Sequence, residues 1–539
     1  MSKKGLTVLL ILLLAATLRF YKLGQNPPSL DWDEASIGYN AYSLLKTGKD
    51  EYGNSWPISI RSFNDYKPPL YTYLTIPSVA LFGLTEFAVR FPSALAGTLT
   101  VLLTYFLVKE LFGKKSSVIA AITALLLAIS PWHLQFSRVA FEANLALLLF
   151  VLSVYLFLRA MDTASPYYHG GAAVAFVATM YSYHSARAVV PLFLLVMAII
   201  FRKRLLQQTR AVVVALVVGV ILMLPMGVTL TRGAAQARFA TVSVFTNPGL
   251  FTREEERLSR QEEFRKKDQG TFASLLHHRW LVLTQIISEN YFDHFNLEFL
   301  FLRGDGIGRH NVVGMGLLYF WELPFLIAGA YYLVKNKEKS LHVVLPWLLV
   351  APAASALTTQ SPHAVRSLLM LPIPQIITAY GIIQIIKALK KYRYALVLIG
   401  VVVCMNFVYY LQLYYIHTPI ERSHDWQYGY KQLVEKVSAI KEEVDEVIIT
   451  TKYDQPYIYF LFYGKVDPAW YQTVAETGSA GFENYFFRAI QYERDRQVKN
   501  AVIVGAPIDG TRHEIPDSAP IFDTIQFLDG KEAFRLVKT

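Results

Sequence analysis

The chain has 539 residues, 53% of them hydrophobic and only 17% charged, with a mean hydropathy of +0.32. Soluble domains carry about 25% charged residues, so the deficit excludes an ordinary soluble protein and indicates a polytopic membrane protein with some soluble mass. The net charge of +11 collects in short loops between apolar runs, the positive-inside pattern, which leaves no case for nucleic acid as a partner. The single cysteine, Cys404, excludes an intramolecular disulfide and a cysteine-based zinc site.

Lys3 and Lys4 precede an apolar run at 6–18, read as a retained first span with a cytoplasmic N-terminus rather than a cleaved signal peptide. Residues 20–87 form a first external loop. Within it Asp33 begins a helix whose Ile37, Ala41, Leu44 and Leu45 share one face, the pattern of an amphipathic helix on the membrane surface. Pro68-Pro69 stops regular structure, and 70–84 reads as a second surface or re-entrant helix. Further spans are expected at 87–106, 118–129, 140–158, 170–183, 189–201 and 212–230.

Residues 231–312, with a charged run at 253–257, are expected to form a large external loop. Spans follow at 313–334, 341–357, 368–386 and 395–415. That makes about eleven transmembrane helices within a 1–417 membrane unit. The composition then changes. Strands are expected at 447–450 and 501–504 and a helix at 430–440. Residues 418–539 therefore read as a small α/β soluble domain, external on an odd number of spans.

Asp31-Trp32-Asp33-Glu34 lies just past the first span. An N-cap aspartate followed by a first-turn glutamate would explain Asp33 and Glu34 structurally. Their place at the bilayer edge, beside Asp31 and Trp32, favours chemistry: a shielded carboxylate acting as a base toward a hydroxyl. Adjacent carboxylates also suit a divalent cation such as Mg, Mn or Zn, with Asp33, Glu34 and Asp65 as candidate ligands. Lys67, before Pro-Pro, is either a snorkelling lysine or a phosphate ligand.

Three further external loop ends each offer a histidine and an arginine: His133 with Arg138, His184 with Arg187, and His363 with Arg366. Arginines on the side that positive-inside bias depletes are candidates for binding an anion. Arg366 stands out because it is expected at a helix start, where the dipole adds to its charge. Glu142 and Asn144 at the mouth of a span read as a cap or as neighbours of the site, and His277-His278 as surface.

These motifs resemble the GT-C glycosyltransferases of the protein O-mannosyltransferase and aminoarabinose transferase type. The matching residues are Asp33-Glu34, Lys67-Pro68-Pro69, Ser130-Pro131-Trp132-His133 with Phe136-Ser137-Arg138, the stretch Tyr181 to Arg187, and Ser361-Pro362-His363-Ala364-Val365-Arg366. The resemblance covers the layout of residues 1–415. It implies a polyprenyl-phosphate-sugar donor and inverting transfer to a hydroxyl acceptor on the external side. Asp33 would be the base or the acceptor-orienting group, with Glu34 its neighbour. Lys67 and Arg366 would hold the lipid phosphate. The aminoarabinose group places a glutamate immediately before Lys-Pro-Pro. Here Tyr66 stands there, which argues against a metal site built on that glutamate and against that sugar.

The expectation is therefore a multi-pass cell-membrane enzyme with a lipid-linked donor, a hydroxyl-bearing acceptor and membrane lipids as partners. A transporter or flippase is the rival from another class, but it predicts ionisable groups at mid-membrane depth. A polymerase or ligase using a pyrophosphate-linked donor is the enzymatic rival.

Overall fold

The computed structural model describes residues 3–63, 65–113, 116–231, 243–245, 259–260, 262–263, 279–509 and 512–539. The charged run at 253–257 and the His277-His278 pair lie outside the described residues.

The N-terminal part is helical: α1 (Lys3–Phe20), α2 (Trp32–Thr47), α3 (Leu70–Phe82), α4 (Glu86–Phe112), α5 (Ser117–Ile129), α6 (Pro131–Ser137), α7 (Glu142–Thr163), α8 (Pro166–Ser182) and α9 (Ala186–Ile200). A short antiparallel hairpin, β1 (Ile60–Ser62) and β2 (Asp65–Lys67), sits between α2 and α3 and pairs Ile60 with Lys67. Among the described residues, five helices are long and apolar enough to cross a membrane: α4, α7, Thr209–Thr229, Leu368–Ala388 and Tyr394–Glu421. A sixth candidate is α5 with α6, bent by 59° where Ser130-Pro131 interrupts the ladder.

Other expected spans are shorter apolar helices, among them α9 and Leu341–Ala356, and α3 is a third short apolar helix where a surface or re-entrant helix is expected. The span expected at 313–334 becomes helical only from Glu322. The preceding segment has gone elsewhere for its hydrogen bonds: Trp132 donates its backbone N–H to the Leu317 carbonyl, and the Tyr319 hydroxyl donates to the Ile129 carbonyl. The helical core is aromatic, with the Phe150 ring 4.9 Å from Trp347 and 5.2 Å from Phe193.

The strands and helix expected near the end of the chain are present. A six-stranded sheet has the order β4-β5-β3-β6-β8-β7, with β3 (Glu446–Ile449) parallel to both β5 (Tyr485–Phe487) and β6 (Ala501–Gly505). The other strands are β4 (Gly481–Phe482), β7 (Ile521–Gln526) and β8 (Glu532–Lys538). β6 is buried along its whole length, as a central strand covered on both faces requires. The helix Tyr430–Ile440 matches the expected range.

One expectation about the first loop is overturned. α2 does not lie on a membrane surface. Ala35, Ile37, Tyr39 and Ala41 share one hydrophobic cluster with Tyr71 and Val89 and with Tyr459, Phe462 and Leu536 of the C-terminal region. Ser36, Gly38, Asn40 and Ser43, on its other faces, are also buried. A Cβ at Gly38 would stand 2.5 Å from the Phe462 ring, so that glycine sets how closely helix and C-terminal region approach. The core thus continues across residue 418.

Candidate active site

The sequence Asp31-Trp32-Asp33-Glu34 is a capping box. The Asp31 carboxylate accepts the Glu34 backbone N–H at 2.8 Å, and the Glu34 carboxylate accepts the Asp31 N–H at 3.3 Å. Asp31 is therefore the cap that had been expected at Asp33, and Asp33 in the first turn is left to face a cavity.

That cavity has a volume of about 210 Å³. Asp33, Asp65 and Glu142 contribute carboxylates to its lining, and Lys67, Arg309 and Arg366 contribute cations. His184, His310 and His363 bring imidazoles to it. A small cavity with both charge signs on its lining suits an anion next to a proton acceptor.

Asp33 and Lys67 form an ion pair of 2.6 Å, with the lysine side chain 9% exposed and the aspartate 38%. Lys67 also donates to the Ser62 hydroxyl at 3.0 Å, and that hydroxyl is 2.8 Å from the hydroxyl of Ser36 on α2. Hairpin and helix are thereby tied together, which fixes the ammonium. Burial pulls the Lys67 pKa down, but Asp33 and Glu142 more than offset this and hold it above the usual lysine range.

Glu34 does not reach the cavity. It is fully buried and gripped by Arg90, whose Nε lies 2.9 Å from Oε1 and whose second nitrogen lies 2.8 Å from Oε2. Beside the Asp31 N–H of the capping box, the Ala140 N–H adds a further hydrogen bond at 2.8 Å. With its lone pairs spoken for, Glu34 stands as a structural anchor away from the cavity that Asp33 lines. The expected trio Asp33, Glu34 and Asp65 is therefore split, with only Asp33 and Asp65 on the cavity.

The other expected phosphate ligands divide similarly. Arg138 is buried and donates to the carbonyls of Leu18, Arg19, Tyr21 and Asn26 and to the Tyr414 hydroxyl, so its fork is committed to the N-terminal turn. Arg187 donates to the Met180 carbonyl and is not part of the lining. His184 lines the cavity, where its ring N–H donates to the Tyr66 carbonyl at 2.9 Å. Burial, reinforced by Arg187, pushes its pKa down to about 3, so it works as a neutral imidazole.

Arg366 lines the cavity and donates to the Thr358 hydroxyl at 2.7 Å. Burial lowers its pKa, with Tyr183 and Asp305 opposing the shift. It does not start a helix, since only a 3-10 turn at Leu368–Met370 precedes Ile373–Ala388. The proposed dipole contribution is therefore missing.

Several residues come from the stretch that sequence reading assigned to a large loop. Arg309 stacks 4.4 Å from the Trp32 ring and its Nε lies 3.6 Å from the Asp31 carboxylate. Burial pushes the Asp31 carboxyl up to about 7 while Arg309 pulls it back. The available signal was the run Arg303-Gly304-Asp305-Gly306-Ile307-Gly308-Arg309-His310, dense in glycine and charge. Gly308 lets the Asp425 carboxylate pack against this run, since a Cβ there would displace that side chain. The C-terminal region also reaches the site: Gln427 accepts the Trp32 backbone N–H at 3.2 Å, and the Tyr459 hydroxyl donates to the same oxygen.

Residues 66–228 match the family model described as dolichyl-phosphate-mannose-protein mannosyltransferase. An uncharacterized protein of Aquifex aeolicus (strain VF5) is 30% identical over 156 residues, a match spanning 29% of this chain and 29% of that protein. ArnT from Cupriavidus metallidurans bound to undecaprenyl phosphate superposes with a TM-score of 0.57 at 15% identity, covering 99% of this chain and 98% of that one. The archaeal oligosaccharyltransferase AglB from Archaeoglobus fulgidus, in complex with an inhibitory peptide and a dolichol-phosphate, gives a TM-score of 0.50 at 14% identity, covering 85% of this chain and 63% of that one. The family match thus lies within residues 66–228, and the chain as a whole shares its fold with ArnT.

Proposed function

We infer that this protein moves a sugar from a polyprenyl-phosphate donor to a hydroxyl acceptor, with inversion, at the external face of a cell membrane. The observation that carries the reading is the Asp33–Lys67 pair at the cavity, a partly exposed carboxylate beside a buried ammonium. In this reaction the acceptor oxygen attacks the anomeric carbon and its proton passes to Asp33. The bond from that carbon to the phosphate oxygen breaks, and the departing prenyl phosphate gains one negative charge. Lys67 and Arg366, with Arg309, stabilise the charge as it develops. His184 and His363 shape the phosphate site. The lipids in the ArnT and AglB structures support the donor class.

The same reading makes the chain multi-pass, with about eleven spans when α1, α8, α9, Glu322–Lys335 and Leu341–Ala356 are counted with the five long helices and the bent α5–α6 pair. Lys3 and Lys4 keep the N-terminus cytoplasmic, and the residues after 418 lie on the external side with the site they help to build.

The test is release of label from radiolabelled prenyl-phosphate mannose or glucose by the full chain in detergent. Transfer by wild type, with Asp33→Asn binding donor but not turning it over, is the expected result. If Asp33→Asn transfers at the wild-type rate, the base assignment is wrong. If wild type neither binds nor turns over either lipid, a transporter becomes the better reading.

A further inference from the structure

The C-terminal sheet reverses its strand order at β3. From β3 the chain goes to β4 and β5 on one side and returns to β6 on the other, with β3, β5 and β6 parallel. Open α/β sheets take their ligands at such a reversal, in the crevice outside the carboxyl ends of the two strands. A cavity of about 610 Å³ lies at that point. Lys452 and Tyr453 line it from the turn after β3, Pro507 and Asp509 from the turn after β6, and Phe527 and Asp529 from the turn between β7 and β8. We propose that this crevice binds a neutral saccharide, the hydroxyl-bearing acceptor itself; the acceptor role rests on the transfer reading above.

The lining selects the ligand. Tyr453 and Phe527 stand edge to face, with ring centroids 5.9 Å apart and an interplanar angle of 67°. Such rings offer apolar surface to the C–H side of a sugar. The charges around them are already balanced. Lys531 pairs with Asp529 at 3.0 Å, Arg535 with Glu532 at 2.8 Å, and Arg512 with Asp509 at 2.6 Å. An ion of either sign would have to compete with such a pair, whereas sugar hydroxyls can donate to the carboxylates and accept from the lysines. The turn after β3, Thr450-Thr451-Lys452-Tyr453-Asp454-Gln455, contains no glycine. A nucleotide phosphate therefore lacks the close backbone approach that a glycine-rich phosphate loop provides.

The crevice is tied to the reaction centre through one side chain. Gln427 donates to the Tyr453 carbonyl and accepts the Trp32 N–H. Its own backbone N–H donates at 3.1 Å to the carbonyl of His424, which also lines the crevice. Two walls of the crevice are thus joined to the first turn of α2, where Asp33 stands. The acceptor class that follows is a glycan and not a protein hydroxyl.

The experiment is titration by saturation-transfer difference NMR on the full chain, in a detergent without a sugar headgroup. The probes are methyl α-mannoside, methyl α-glucoside and methyl β-galactoside. At least one is expected to bind. Asp529→Ala should weaken it by about tenfold, the scale of a lost hydrogen bond to a charged group, and Tyr453→Ala by about fivefold. Asp529 is exposed, so its variant tests the site even if Tyr453→Ala does not fold. No binding of any of the three, or unchanged binding by Asp529→Ala, overturns the proposal. Binding is read without donor, so saccharide binding that the variants lose, in a protein that transfers no sugar, supports the site and refutes only the transfer reading. Where transfer to a glycan is measured, Asp529→Ala should raise KM for the acceptor and leave KM for the donor unchanged. An unchanged acceptor KM overturns the acceptor role.

Discussion

The Lys67 ammonium lies 2.6 Å from the Asp33 carboxylate, with the lysine buried and the aspartate open to the cavity. On the proposed reading the asymmetry divides their roles. The enclosed cation faces a fixed position where a phosphate can sit, while the accessible carboxylate can meet an acceptor. Lys67→Met should therefore abolish transfer and also weaken prenyl-phosphate binding by about tenfold or more, the scale of a lost charge-assisted hydrogen bond. Equilibrium binding of the lipid to the purified variant checks this. Unchanged binding would remove Lys67 from the phosphate site. Lys67→Arg should not restore activity, because a planar fork cannot keep both the Ser62 and Asp33 contacts of a compact ammonium.

Glu34, one residue along, is predicted to behave differently. Replacing it with alanine strands the Arg90 guanidinium in the interior, which typically costs about 3–5 kcal/mol. The expected phenotype is poor expression and a lowered Tm. Glu34→Gln, which keeps the shape, should yield some folded protein with near wild-type turnover per molecule. A folded Glu34→Gln protein without turnover would return Glu34 to the chemistry.

Much of this division was written in the sequence, yet at the wrong register. Asp-x-x-Glu at 31–34 is a capping signature, and with Asp31 as the cap Glu34 belongs to the helix start and Asp33 is released. Lys67 and His363 were legible as lining of the cavity because polar groups at loop ends are costly without a partner. Arg138 looked equivalent in one dimension. Only the path of the chain shows five acceptors already waiting for it. Arg309 and His310 were hidden because a loop's polarity says nothing about where it folds back. The membrane-surface assignment for α2 failed for a related reason: periodicity reports an apolar face but not the C-terminal region that covers its other faces.

That covering gives the C-terminal region a mechanical part in the site. Gln427 accepts the Trp32 N–H and donates to the Tyr453 carbonyl, linking the first turn of α2 to the loop after β3. Gln427→Ala should lower kcat, toward the ~100-fold that misplacing reacting groups by about 1 Å can cost, and leave KM for the donor nearly unchanged. Steady-state kinetics at varied donor concentration separates the two. A rise in KM alone would mean that Gln427 serves binding and not the placement of Asp33.

The first loop also carries a buried acid whose titration is measurable. Glu51 is fully buried, and Asn40 donates to its carboxylate at 3.2 Å while also accepting the Glu51 N–H at 3.0 Å. Burial, with Asp50 adding, pushes its pKa up to about 8 against the pull of Asn40. The folded state thus keeps a proton that the unfolded chain releases near pH 4.5. The stabilisation is complete below that pH, falls as pH rises toward 8, and is gone above it. Glu51→Gln removes the titration while preserving the shape. The Tm difference between variant and wild type should therefore grow in the variant's favour from pH 5 to pH 8. Thermal melts of both proteins in the same detergent isolate Glu51 from other buried acids such as Asp31. Parallel Tm curves across that range would show that Glu51 is already ionised in the fold.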